Sequence, residues 1–185
     1  MKGKHGFGRP VMLMGSTGFR TFVDPAGNLH EVLRNCREAK IVLLDPLKQG
    51  VTARARSIAD PRITPELLRE QVIRSIDFLK GLKSLGKDVR LKLRPGAPLV
   101  KLAILGDNLY LQHYPTGLYE LKMQKYVLRH DQHGILFDHF YQYFVNEWSE
   151  RDNPEYDLDT DDLVFRDKWG NEVGREKFND VVMEY

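Results

Sequence analysis

The sequence predicts one α/β domain, a mixed and mostly parallel sheet with helices packed on it. Three observations predict it: short apolar runs that stop at turn residues, one long helical repeat between them, and a Gly-Asp-Asn turn flanked by two apolar segments. Val11-Met12-Leu13-Met14 reads as a buried strand running into the tight loop Gly15-Ser16-Thr17-Gly18. Phe19-Arg20-Thr21-Phe22 reads as a second short strand. Asp24 to Gly27 is a turn, after which Asn28 can cap a helix reaching about Ala39, with Leu29, Val32, Leu33 and Cys36 on one face. Ile41 to Leu44 is another buried strand, stopped by Asp45-Pro46.

The polar stretch from Lys48 to Arg62 reads as a long loop. The helix after it is the best marked in the chain. Thr64 suits the N-cap, Pro65 the first helical position and Glu66 the positive helix end. Leu68, Val72, Ile76, Leu79, Leu82 and Leu85 then recur at three- and four-residue steps, and Gly86 ends the run. Val89 to Leu93 alternates like a half-exposed strand. Leu99 to Leu105 and Leu109 to His113 flank Gly106-Asp107-Asn108, a three-residue hairpin that sets Lys101 opposite His113. A last amphipathic helix from about His133 to Trp148 is expected to bury Ile135, Leu136, Phe140, Phe144 and Trp148. The strands at Val11, Ile41 and Val89 should be parallel, joined by right-handed crossovers. Residues 1–10 read as a flexible arm, 11–150 as the domain, and 151–185 as an acidic extension whose Leu163–Phe165 and Lys168–Asn171 segments form a terminal hairpin on it.

At 185 residues and 42% hydrophobic, the chain can bury an ordinary single core. Its 28 basic and 26 acidic residues leave a net charge of +2, which argues against general nucleic-acid binding. The excess of Lys and Arg within residues 1–60 still permits a local anion site. One cysteine, Cys36, excludes an internal disulfide, fits a reducing compartment and reads as a core residue. No run approaches the ~18 apolar residues of a membrane span, and the N-terminus carries no apolar stretch like that of a signal peptide. A cytoplasmic location is the expectation.

Three segments carry a resemblance: Ala39-Lys-Ile-Val-Leu-Leu-Asp-Pro46, Val89-Arg-Leu-Lys-Leu-Arg-Pro95 and Lys101-Leu-Ala-Ile-Leu-Gly-Asp107. In this order the chain resembles half of a phospholipase D-like fold over about residues 11–148, in particular the catalytically degenerate bacterial members attached to regulatory proteins. Active members combine two His-x-Lys motifs, each followed by four residues and an Asp. The resemblance implies that one histidine attacks phosphorus, the other protonates the leaving oxygen, and the lysines hold phosphoryl oxygens. Here Lys101 matches the lysine, but Leu99 stands at the histidine position, Gly106 at the acid position, and Gln112-His113-Tyr114 where a Gly-Ser follows. No other histidine has a lysine two positions on, so leucine at position 99 leaves the usual chemistry without a nucleophile.

Two features of the residues bear on what remains. His113, opposite Lys101 at ~5 Å between Cβ atoms, would restore a His/Lys pair from the neighbouring strand. Ser16 and Thr17 sit in a Gly-bounded loop whose N–H groups suit phosphate, and Arg54 and Arg56 can join Lys101 over a shared anion. His130, Asp131, His133, Asp138 and His139 have metal-ligand chemistry, but Asp131 as a helix cap with surface histidines explains them, so no metal and no cofactor are expected. Tyr141 and Tyr143 lie on an aromatic run that exceeds one helix face and offer a surface to a protein partner or a second subunit.

The expected function is a non-catalytic binding or regulatory module that recognises a phosphate-bearing small molecule, such as a nucleotide, or a protein partner, and forms a homodimer. The alternatives are a divergent phosphodiesterase or nuclease using Lys101 and His113, and a structural interaction domain without a ligand.

Overall fold

The computed structural model describes residues 9–114 and 124–178, so most of the expected arm at residues 1–10 lies outside the described residues. The strands are β1 (Val11–Met14), β2 (Glu38–Leu44), β3 (Asp88–Arg94), β4 (Val100–Leu105), β5 (Asn108–His113), β6 (Lys125–Arg129), β7 (Glu155–Asp157), β8 (Asp162–Arg166) and β9 (Glu172–Lys177). The helices are α1 (His30–Asn35), α2 (Gln49–Ser57), α3 (Pro65–Ser84) and α4 (His130–Ser149), with one π-helical turn over Phe19–Val23.

The nine strands of the described residues join one sheet in the order β6-β5-β4-β1-β2-β3-β7-β8-β9. As expected, β1, β2 and β3 are parallel, with Leu13 beside Ile41 and Ile41 beside Leu91. The parallel share is nevertheless smaller than expected, because the six remaining ladders are antiparallel. Only a long crossover can return a strand parallel to its predecessor, and the connections into β5, β8 and β9 are too short for one. The segment from Glu155 to Lys177 extends the same sheet outward from β3.

Strand alternation divides the core in two. Leu13, Ile41, Leu43, Leu91, Leu93, Ala103 and Leu105 pack with Leu68, Val72, Ile76 and Leu79 of α3 on one face. Met12, Met14, Val42, Leu102, Ile104, Leu109 and Leu128 pack with Phe137 and Phe144 of α4 on the other. The α3 boundaries follow the sequence signals: Thr64 Oγ1 accepts from Leu67 N at 3.2 Å, and Gly86 takes a φ of 82° just past the end.

Four local expectations fail. Phe19–Val23 is a π turn rather than a strand, entered through Gly18 at φ 75°. α1 stops at Asn35, because the backbone from Glu38 onward pairs with β3 and cannot also be helical. The expected loop at 48–62 contains α2, which buries Val51, Arg54 and Ala55 along one face. That stripe is too narrow to outweigh its polar neighbours in the sequence. α4 begins at His130, and His133 has non-helical φ and ψ. The break shifts the helical phase, leaving Ile135 79% and Leu136 48% exposed while Phe137 and Phe144 are buried.

One core residue is out of character. Lys92 on β3 is 8% exposed and, among the described residues, makes no hydrogen bond or close ion pair; its Nζ lies 5.7 Å from the Trp148 ring centroid. Burial lowers its pKa against the opposing field of Glu155. A lysine more easily deprotonated when folded loses stability as a cation, and that loss is relieved as pH rises from the lowered folded value to the ordinary one. Lys92→Met, which keeps the length and removes the charge, is expected to stabilise the fold by about 1 kcal/mol at neutral pH. Urea unfolding measures it; a lower midpoint for the variant would show that the ammonium is well accommodated.

Candidate functional site

The loop after β1 is held from three sides. Gly15 N donates to Val42 O at 3.1 Å, and Ser16 O accepts from Leu44 N at 2.9 Å, which ties the loop to β2. Thr17 Oγ1 donates to Gln71 Oε1 on α3 at 3.0 Å, and Ser75 Oγ donates to Thr17 O at 2.7 Å. Ser16 N donates to Tyr114 Oη, beyond the end of β5, at 3.3 Å. Ser16 Oγ is buried and has no hydrogen-bond partner among the described residues.

A cavity of about 340 Å³ opens beside this loop, at the end where β1 finishes. Ligands of open α/β sheets commonly bind at that end. Ser16, Thr17, Arg54 and Lys101 all line it, as do Arg20, Gln71, Gln112, Tyr114 and Lys125. Lys101 stands beside Gln112 on β5, and Gln112 beside Lys125 on β6, so the three form a cross-strand row on the α3 face. Arg54, 4% exposed, sets its guanidinium 4.3 Å from the Tyr114 ring centroid. Its Nη1 donates to Ser57 Oγ at 3.0 Å, and that hydroxyl donates back to Arg54 O at 2.7 Å, which braces the side chain against α2.

Basic side chains dominate this lining. Arg20, Arg54, Lys101 and Lys125 are all cations, and among the described residues no carboxylate lines the cavity. Asp60, two residues beyond Ile58 and outside the lining, is held down at about 2 by hydrogen bonds from Arg62, with a weaker contribution from the charge of Arg20. Two larger cavities, about 640 and 680 Å³, open at the other end of the sheet, but there Arg9, Lys40 and Arg129 face Glu38, Asp107, Asp131 and Asp138. Mixed charge neutralises those cavities. The smaller one gathers four basic side chains, more than either of these.

Two expected site residues lie elsewhere. His113 pairs with Val100, not Lys101. The turn consists of Gly106 and Asp107 alone, with Leu105 opposite Asn108 and Gly106 at φ 61°, the left-handed first position that a two-residue hairpin gives to Gly. Shortening the loop by one residue slips the register by one, and His113 turns to the α4 face, exposed. Arg56 is exposed, because residues two apart on a helix point in different directions and 54–56 belong to α2. Leu99 is 70% exposed and does not line the cavity.

The histidine-rich turn at the start of α4 also differs from its reading. Arg129, not Asp131, is the N-cap residue and its side chain makes no capping hydrogen bond; its N–H donates to His133 Nδ1 at 3.1 Å, and His130 Nε2 lies 3.5 Å from Asp138 Oδ1. Tyr143 packs against the α4-side core, while Tyr141 is 38% exposed. Gln71, Gln112, Tyr114 and Lys125 carried no signal that sequence reasoning used, since their value comes from the strands and helix that bring them together. Among the described residues no helix is long and apolar enough to cross a membrane. No protein-family model, no curated protein and no solved structure matches the chain.

Proposed function

We propose that this protein is a non-catalytic binding module for a phosphate-bearing ligand, held in the cavity beside the Ser16–Gly18 loop. The observation that carries the reading is the convergence of four basic side chains, Arg20, Arg54, Lys101 and Lys125, with amide and hydroxyl groups around the loop that follows β1. Lys101 is the one residue of the phospholipase D-like motif that the chain keeps, and it lines this cavity. The non-catalytic reading is supported by leucine at position 99, where the phospholipase D-like motif would carry its nucleophilic histidine. The orientation of His113 removes the geometric basis for a Lys101/His113 pair.

Titrating the full chain with inorganic pyrophosphate by calorimetry tests the proposal. Saturable binding that weakens with added salt is expected. Lys101→Met should weaken it about 10-fold or more, the worth of one charge-assisted hydrogen bond. Arg56→Met, outside the cavity, should leave it unchanged. Wild-type protein that does not bind, or equal binding by Lys101→Met, would refute the reading. Turnover of a phosphodiester that Lys101→Ala abolishes would replace it with an enzyme.

A further inference from the structure

The cavity is not uniform along its length. Its anion-binding end is the Lys101–Gln112–Lys125 row, with Arg54 and Ser16 N meeting at Tyr114. From there the lining passes through Thr17 to Gln71, to which Thr17 is hydrogen-bonded, and one helical turn before Gln71 stands Leu68. Ile58, one turn beyond Arg54, and Ile63, in the connection to α3, join Leu68 as a branched aliphatic wall. Asn28, Thr21 and Arg20 complete that end. An inorganic anion has no use for such a wall.

Resting on the binding proposal, we infer that the ligand is a mononucleotide, with its phosphates on the Lys101–Gln112–Lys125 row and its base against Ile58, Ile63 and Leu68. A nucleobase has an apolar face for aliphatic side chains and an edge bearing donors and acceptors. The Asn28 amide supplies both a donor and an acceptor, and a guanidinium such as that of Arg20 stacks on a flat ring. A sugar phosphate lacks the flat apolar face. A phospholipid needs a longer apolar channel than three side chains provide. The volume of about 340 Å³ is at the low end for small-molecule sites and suits one nucleotide rather than a dinucleotide or a strand.

Calorimetric titration of the full chain with pyrophosphate, ribose 5-phosphate, lysophosphatidate and nucleoside diphosphates of each common base tests this. At least one nucleoside diphosphate is expected to bind about 10-fold tighter than pyrophosphate or ribose 5-phosphate, with lysophosphatidate weakest. Ile63→Asn should bring that nucleotide close to the pyrophosphate affinity while leaving pyrophosphate itself unchanged. Asn28 is exposed, so Asn28→Ala retains the fold if Ile63→Asn does not, and it should lower the preference for one base over the others. Equal affinity for pyrophosphate and every nucleotide would overturn the inference and leave anion binding standing. Tightest binding by ribose 5-phosphate or lysophosphatidate would overturn it in favour of a sugar or lipid ligand. A nucleotide preference that survives Asn28→Ala unchanged would overturn it by placing the base elsewhere, and no binding of any probe would remove both proposals.

Discussion

Alanine at position 18 is expected to lower the thermal midpoint by roughly 10 °C, from a loss of about 2–5 kcal/mol. Gly18 holds a φ of 75°, which side-chain-bearing residues adopt only at a cost. A Cβ there would also overlap the ring of Phe22 and stand 3.2 Å from Leu43 Cδ2. Phe22 cannot yield cheaply: it is 0% exposed and packs 5.7 Å, centroid to centroid, from Phe78 of α3. The strain falls on the residue that follows Ser16 and Thr17, so pyrophosphate affinity should fall with stability. Thermal unfolding of Gly18→Ala checks the first effect and titration of the folded fraction the second. An unchanged midpoint would mean that this carbon faces open space and that the π turn is not built as described.

Removing the Glu155 carboxylate should cost about 2–4 kcal/mol of stability. Glu155 on β7 accepts from Arg90 Nε at 3.0 Å and Arg90 Nη2 at 2.8 Å on β3, and from Arg166 Nε at 3.0 Å on β8. Its side chain is 13% exposed, whereas the two guanidiniums are about a third exposed, so solvent screening trims the figure from that of a fully buried pair. Glu155→Gln leaves Arg90, Lys92 and Arg166 facing one another where three strands meet. Partial burial alone would raise the pKa of Glu155, but the hydrogen bonds and charge of the two arginines outweigh it and hold the group below the ordinary glutamate value. The unfolded chain therefore binds this proton more readily than the folded one. The contribution is complete above the ordinary value of 4.5 and is lost as pH falls through the lower folded value. Urea midpoints of wild type and Glu155→Gln should be well apart at pH 7 and converge as pH falls from 4.5 through the lowered folded value. A constant gap across that range would show that Glu155 acts by packing and not by charge.

How far the sequence carried the fold depended on how local each signal was. α3 was legible to its ends, because Thr64, Pro65, the apolar repeat and Gly86 each act on their immediate neighbours. The parallel core strands were legible too, since an unbroken apolar run such as Val11–Met14 is soluble only when both its faces are covered. α2 was not, for a helix that buries one short stripe holds together by docking on its neighbours more than by its own composition. The edge strand β6, exposed at four of its five positions, offers almost no alternation to read.

The candidate site divides the same way. Residue chemistry in the sequence picked out Ser16, Thr17, Arg54 and Lys101, and these line one cavity. Sequence also determined that leucine, not histidine, stands two residues before Lys101. Tertiary structure decided the rest. A two-residue turn in place of three sent His113 to the opposite face of the sheet, because side chains alternate with a period of two and a slip of one residue reverses every one of them. The helical state of residues 49–57 buried Arg54 and exposed Arg56. Lys125 and Gln112 reached Lys101 through strand pairing, and Gln71 and Tyr114 reached the β1 loop from α3 and from beyond β5. Chemistry belongs to a residue and is written in the chain. Convergence is a property of distances between residues far apart in sequence, and only packing sets those distances.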